Sequence, residues 1–380
     1  MKTNELKINR TLINNIIKKG YSELTPIQEK VIPLILDNKD VIGIAKTGSG
    51  KTLAYSIPLI NRTYEEKNNP RVIRSLILVP TRELAMQVRN EINSVSSDFV
   101  RVSVVMGGVK QDKQIHDIKK GIDILVATPG RLNDLLKQKK LSLATVDKVV
   151  LDEADTMLDM GFIKDMEIIL SKTLARRQTL LFTATYGDTI KEFVSKNLIK
   201  PIKIEAKTAD DDKGILTEEL YYIDSKNKND FLLSYLANNR IKQALIFTRT
   251  KKGADSLCKF LNDYNLKTDA IHSDKRQGQR SRSLKDFKEG KINYLIATDI
   301  AARGIDVKDL PYVINYNLPD QKELYVHRIG RTARAGESGK AISICSLQEK
   351  IYLKDIEEYI GRKIPLKVDN EYSIKNKKFY

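Results

Sequence analysis

The sequence predicts an α/β protein built as two parallel-sheet lobes in tandem, on three observations. The chain has 380 residues, which at roughly 150 per domain suggests two or three domains with sizeable cores. Short runs rich in Val, Ile and Leu alternate with longer amphipathic stretches from about residue 40 to 205, and the alternation resumes after 217. The runs are near-continuously apolar, which suits strands buried on both faces of a parallel sheet.

The strands of the first lobe read as Val41–Ile44, Ser75–Val79, Ile122–Val126, Val149–Leu151 and Thr179–Phe182. Those of the second read as Ala244–Phe247, Tyr294–Ala297, Tyr312–Ile314 and Ala341–Ile344. Between the lobes, Ala206–Gly214 is polar, acidic and Gly-ended, the mark of a linker. The expected boundaries are a first domain over 1–205, a linker over 206–217 and a second domain over 218–380. The last carries one more helix, about Leu347 to Tyr359, and a frayed basic end at Lys375–Lys378.

With 41% hydrophobic and 30% charged residues the composition is neither disordered nor membrane-spanning, and no apolar run approaches the length of a bilayer-crossing helix. The first residues lack the apolar segment of a secretory signal, and Cys258 and Cys345 form no short-spaced pair, so the expected compartment is the reducing cytoplasm. The net charge of +17 is shared evenly, with 33 basic and 24 acidic residues up to 205 and 33 and 25 after it. Both halves would attract a polyanion, nucleic acid foremost. Lysine, at 46 residues, supplies most of the excess and in part reflects composition alone.

After the first strand comes Ala45-Lys46-Thr47-Gly48-Ser49-Gly50-Lys51-Thr52, followed by a helical stretch. The glycines let backbone N–H groups turn toward a phosphate, and the helix N-terminus adds partial positive charge. Lys51 can reach the β- and γ-phosphates, and the Thr52 hydroxyl can ligate Mg²⁺. Ala45 replaces the first glycine of the generic pattern. A ligand-free glycine turn is the bland alternative, and the placement between strand and helix argues against it. Such a loop needs an acidic partner at a neighbouring strand end, and Val149-Val150-Leu151-Asp152-Glu153-Ala154-Asp155 supplies one. Asp152 would reach Mg²⁺ through water, and Glu153 could orient and deprotonate the attacking water. Alone, the pair would read as an acidic helix N-terminus.

At Asp-Glu-Ala-Asp the sequence resembles the DEAD-box family of ATP-dependent RNA helicases, and the resemblance runs from about residue 20 to 345. It implies two RecA-like domains with a cleft between them. Gly20-Tyr21 and Thr25-Pro26-Ile27-Gln28 are similar to the family's adenine-reading segment, in which Gln28 would bond the adenine edge and Tyr21 would stack on the ring. Thr25-x-x-Gln28 is also a capping box with Pro26 at the first helical position, so the cap would position the amide. Thr81 and Arg82, Gly107-Gly108, and Thr128-Pro129-Gly130-Arg131 match the segments that hold an RNA backbone in the family's first lobe. In the second lobe, Arg249, Arg280 and Thr298 would face RNA and Asp306 would bond the ribose. His327-Arg328-Ile329-Gly330-Arg331-Thr332-Ala333-Arg334 resembles the arginine-finger motif, and Arg331 and Arg334, three apart, would share one helical turn.

Some positions depart from the family. Asn4 stands near where an aromatic is usual, Thr183-Ala184-Thr185 where Ser-Ala-Thr is usual, and Ala333 where Gly is usual. Threonine keeps the hydroxyl, so Asp155, Thr183, Thr185 and His327 would still couple the lobes. The three histidines share no metal-ligand spacing, and no zinc is expected.

The resemblance implies that ATP and Mg²⁺ bind through Gln28, Lys51, Thr52 and Asp152, that the lobes close with RNA and complete the site with Arg331 and Arg334, and that hydrolysis reopens them. It points to a cytoplasmic monomer that meets RNA, ATP and ribonucleoprotein or ribosome-assembly partners. A DNA-directed helicase and a non-enzymatic RNA clamp remain the alternatives. Eight of the twenty arginines (82, 131, 249, 280, 303, 328, 331 and 334) fall inside the motifs, most of them expected on RNA and two on ATP.

Overall fold

A computed structural model describes residues 1–46, 48–66, 71–206, 216–302, 310–332, 338–368 and 372. Thr47, Arg303, Asp306 and Arg334 lie outside the described residues. The chain divides into two compact units, Met1–Ala209 and Asp210–Tyr380.

The first unit contains strands β1 Val41–Ile44, β2 Ser75–Leu78, β3 Val102–Val105, β4 Ile124–Ala127, β5 Lys148–Leu151, β6 Gln178–Thr183 and β7 Ile202–Glu205. They form one parallel sheet in the order β3-β4-β2-β5-β6-β1-β7. Because successive side chains leave a strand on opposite faces, each inner strand feeds two cores. Ile77 joins the cluster of Ile32, Tyr55 and Phe182, while its neighbours Leu76 and Leu78 join that of Leu132, Met157 and Phe193. Gly43 in β1 is required by closeness, since a Cβ there would lie 2.6 Å from the Phe182 ring.

The second unit contains β8 Leu216–Tyr222, β9 Ala244–Thr248, β10 Thr268–Ile271, β11 Tyr294–Thr298, β12 Tyr312–Asn315 and β13 Gly339–Cys345. These form a parallel sheet in the order β10-β11-β9-β12-β13-β8. Leu216 and Thr217 open β8 and pair with Gly339 and Lys340 of β13, so the sheet begins two residues before 218. The late helix runs over Lys350–Ile360 after a 3₁₀ turn at Leu347–Glu349. Both free cysteines sit in this unit, Cys345 buried and Cys258 half-buried. Among the described residues no helix is long and apolar enough to cross a membrane.

Candidate nucleotide and nucleic-acid sites

In a parallel sheet all strands end on one side, and the loops that follow those ends are where ligands bind. The strand order sorts the first unit's loops into two groups. The loop after β1, Asp152 after β5 and Thr183 at the end of β6 belong to three adjacent strands. The turn at Met106–Gly108 after β3, Thr128 after β4 and Thr81 after β2 belong to three others.

Gly48 and Gly50 both have φ of 89°, the left-handed region that costs an L-residue about 1 kcal/mol or more. The helix Lys51–Glu65 starts directly after Gly50. Lys51 is buried at its mouth, with Nζ donating to the carbonyls of Ala45 and Lys46. Ser49 is buried, and among the described residues its hydroxyl finds no hydrogen-bond partner. Gln28 stands against this loop. Its Oε1 accepts the Thr25 N–H at 2.9 Å, and its Nε2 donates to Gly50 O at 3.0 Å. Thr25 and Gln28 thus form the anticipated capping box, the Thr25 side chain facing the Gln28 N–H and the Gln28 side chain accepting the Thr25 N–H. A primary amide has two N–H groups and two lone pairs, so each end of Gln28 keeps one for a ligand. Tyr21 is 43% exposed, and its carbonyl is held at 2.7 Å by the Thr3 hydroxyl.

Asp152 is buried, and burial raises its pKa against the opposing pull of Lys51. Its Oδ2 accepts the Tyr55 hydroxyl at 2.8 Å and its Oδ1 accepts the Glu153 N–H at 2.9 Å. Glu153 itself has φ of 51°, an uncommon conformation for a non-glycine and one often found at functional sites. Thr52 and Asp152 are hard oxygen donors, and each Asp152 oxygen retains a lone pair. That fits Mg²⁺, which binds through one or two side-chain oxygens, waters and substrate phosphates without a protein cage.

Asp155 joins the acidic segment to β6. Its Oδ2 accepts the N–H groups of Ala184 and Thr185, both at 3.0 Å, and the Thr185 hydroxyl at 3.2 Å. The Thr183 hydroxyl donates to Thr185 O at 2.7 Å, and Thr183 O accepts the Ala45 N–H at 3.1 Å. Asp155 is thus wired through 183–185 to the phosphate-binding loop.

In the other group, Thr81 caps the helix Arg82–Val95 by accepting the Leu84 N–H at 3.2 Å. The Arg82 guanidinium lies on Gly107 and Gly108 so closely that a Cβ on Gly108 would collide with Nη1. Arg131 donates to Val109 O at 3.2 Å, from a helix that Thr128 and Pro129 begin. Gln114 braces the same turn through Met106 N, Met106 O and Val109 O. The sequence reading missed Gln114 because nothing local distinguishes it from a surface glutamine.

The second unit spends several motif arginines internally. Arg249 donates to Leu318 O and Glu349 Oε1, both at 3.1 Å, and lies 4.7 Å over the Tyr352 ring. Glu349 is buried and also accepts Lys228, Ser346 and Asn317. Arg280 is 5% exposed and donates to Ala301 O at 3.5 Å. Thr298 is buried at the end of β11. Arg328, counted with the ligand-facing arginines, is in fact fully buried against Asp299. His327 is half-buried near the end of the helix Lys322–Ile329.

The helical turn expected to be shared by Arg331 and Arg334 runs into residues outside those described, and Arg331 itself lies just beyond the helix with its N–H donating to Arg328 O at 3.1 Å. The helix stops at Ile329, Gly330 follows as its cap, and Thr332 bridges to Leu310 while its hydroxyl donates to Leu310 O.

A family model for DEAD/DEAH box helicases matches residues 25–193, and one for the helicase conserved C-terminal domain matches 227–336. The chain is 43% identical over 361 residues to the ATP-dependent RNA helicase CshA of Listeria monocytogenes, covering 94% of this chain and 68% of that one. It is 40% identical to the DEAD-box ATP-dependent RNA helicase CshA of Bacillus subtilis, covering 95% and 72%. Among solved structures it is similar to a DEAD box protein from Methanococcus jannaschii, at 41% identity over 97% and 99% of the two chains with a TM-score of 0.53. It is also similar to S. cerevisiae Dbp5 bound to RNA and ADP BeF3, at 29% identity over 96% and 95% with a TM-score of 0.82.

Proposed function

The chain belongs to the DEAD-box helicase family, and from that membership we propose that it is an ATP-dependent RNA helicase. It binds single-stranded RNA, separates short RNA duplexes locally or remodels RNA structure, and hydrolyses ATP to release the RNA. The observation that carries the reading is the wiring of Asp155 to Thr185 and of Thr183 to Ala45, which ties the acidic segment to the phosphate-binding loop.

In this reading Tyr21 stacks on adenine and Gln28 bonds its edge. The loop residues Ala45, Thr47, Gly48, Ser49 and Gly50 cradle the phosphates, and Lys51 leaves its carbonyl partners to meet them. Thr52 and, through water, Asp152 hold Mg²⁺, which offsets charge on the phosphates. Glu153 takes a proton from the attacking water. Arg331 and Arg334 complete the reaction as arginine fingers, worth roughly 10³ to 10⁵ in rate, and Asp306 bonds the ribose. Asp155, Thr183, Thr185 and His327 couple hydrolysis to RNA.

RNA phosphates are held by Thr81, Arg82, Gly108, Thr128, Pro129 and Arg131, with Arg249, Arg280 and Thr298 serving the second unit. Arg280 and Arg249 then act largely by positioning, one through Ala301 and the other through Glu349. We place the protein in the cytoplasm as a monomer, with ribonucleoproteins or ribosome-assembly particles as its partners.

Steady-state ATP hydrolysis, measured without polynucleotide, with RNA and with matched DNA, tests the proposal. Stimulation by RNA alone is expected. Equal stimulation by DNA overturns the RNA assignment, and no turnover under any condition reduces the protein to a nucleotide-binding clamp.

A further inference from the structure

Tyr55 lies one turn beyond Lys51 and Thr52 on the helix Lys51–Glu65 and is completely buried. Its ring packs on Phe182 of β6 with centroids 5.2 Å apart, a contact that phenylalanine would make equally well. The hydroxyl needs a separate reason. It donates to Asp152 Oδ2 at 2.8 Å, across 97 residues of sequence. Thr52 stands three residues earlier on the same face of that helix. A carboxylate offers only acceptor lone pairs, so in this contact the Tyr55 O–H is the donor.

Asp152 is thereby anchored at both oxygens, Oδ2 by Tyr55 and Oδ1 by the Glu153 N–H. A carboxylate fixed at both ends cannot turn about its terminal torsion, so the lone pairs left for a cation's water shell point in set directions. The groups around metal ligands act in this way, and losing one typically weakens metal affinity by roughly 10- to 100-fold.

We infer that Tyr55 is a positioning residue for the divalent cation: its hydroxyl orients the Asp152 carboxylate, with Thr52 beside it, to receive magnesium and its water. The inference rests on reading Thr52 and Asp152 as the magnesium-holding pair.

The test is Tyr55→Phe, which removes one oxygen and keeps the ring. A fluorescent ATP analogue is titrated against wild type and variant in EDTA and across a Mg²⁺ series, and Mn²⁺ binding is followed by electron paramagnetic resonance with a non-hydrolysable ATP analogue. Tyr55→Phe should leave nucleotide affinity in EDTA unchanged and raise both the Mg²⁺ midpoint and the Mn²⁺ dissociation constant by roughly tenfold or more. Unchanged midpoints overturn the inference. Phe182→Leu, which loosens the same ring contact and keeps the hydroxyl, should lower the melting temperature without moving the midpoint. An equal shift in Phe182→Leu would trace the effect to packing and also overturn the inference. Failure of the underlying reading looks different: wild type would then bind nucleotide equally with and without Mg²⁺.

Discussion

Arg328 grips Asp299 at both carboxylate oxygens, Nε to Oδ1 at 2.6 Å and Nη2 to Oδ2 at 2.7 Å. Its Nη1 reaches Asn315 Oδ1 at 3.0 Å and Asn317 O at 2.7 Å, and the guanidinium lies 4.8 Å over the Phe247 ring. One side chain therefore ties the ends of β9, β11 and β12 to the helix Lys322–Ile329. Removing one partner of such a pair strands the other charge and costs about 3–5 kcal/mol. Asp299 keeps 18% exposure, so the lower end applies. Arg328→Ala should destabilise the second unit by about 3 kcal/mol, and Arg328→Lys should recover only part, because lysine lacks the planar fork. Urea dependence of hydrogen exchange at β11 and β12 amides measures this. A lysine variant as stable as wild type would show that charge alone suffices.

Glu153→Gln preserves size and hydrogen bonding while removing the base. It should bind ATP and RNA as wild type does and lose turnover by at least about 10², the usual worth of a general base. Single-turnover hydrolysis with saturating RNA decides the matter. Normal turnover would remove Glu153 from the mechanism.

Gly50→Ala puts a methyl group where φ is 89° and where Gln28 Nε2 would lie 2.5 Å away and Thr25 Oγ1 2.9 Å away. The strain costs about 1 kcal/mol or more, and the Gln28 amide must move. ATP affinity should fall on the order of tenfold, about 1.4 kcal/mol, and the preference for ATP over GTP should narrow with it. Competition binding of both nucleotides measures the two effects. An unchanged ratio would separate the Gln28 contact with Gly50 from adenine reading.

Lys148 sits at the start of β5, where Nζ donates to Asn38 Oδ1 and Gln178 Oε1, both at 2.6 Å. Burial, assisted by the nearby Arg62 charge, lowers its pKa to about 8. An unfolded lysine holds its proton to about pH 10.4, so between these values the unfolded chain binds more protons and stability rises with pH. The unfolding free energy of wild type minus that of Lys148→Met should grow by about 2 kcal/mol from pH 8 to 10. A flat difference would place the folded pKa outside that window.

Residue pattern is enough to mark the interior of the sheets and the chemistry of contiguous motifs. The nine strands read from it, from Val41–Ile44 to Ala341–Ile344, are all interior, because a strand with neighbours on both sides and helices on both faces has to be apolar throughout. The four it did not mark, β3, β7, β8 and β10, are the edges of the two sheets. An edge strand such as Ile202–Glu205 has alternate residues in water, so its four residues carry no run to notice. The phosphate loop was equally plain, since its glycines, lysine and threonine are consecutive.

Which loops are neighbours, and where a buried arginine such as Arg328 points, follow from the packing of distant segments. Strand order is not chain order, and only β5-β6-β1 adjacency brings Asp152, Thr183 and Ala45 together while β3-β4-β2 gathers Gly108, Thr128 and Thr81. Arg328 reads in sequence like the motif arginines expected on ligands, yet the Asp299 carboxylate, the Asn315 side-chain amide and the Asn317 carbonyl converge on it in the fold and turn it inward. The Tyr55 hydroxyl, too, has no meaning until the helix after β1 is packed beside the end of β5. Such contacts depend on distances between segments far apart in the chain, and no local pattern of residue types encodes them.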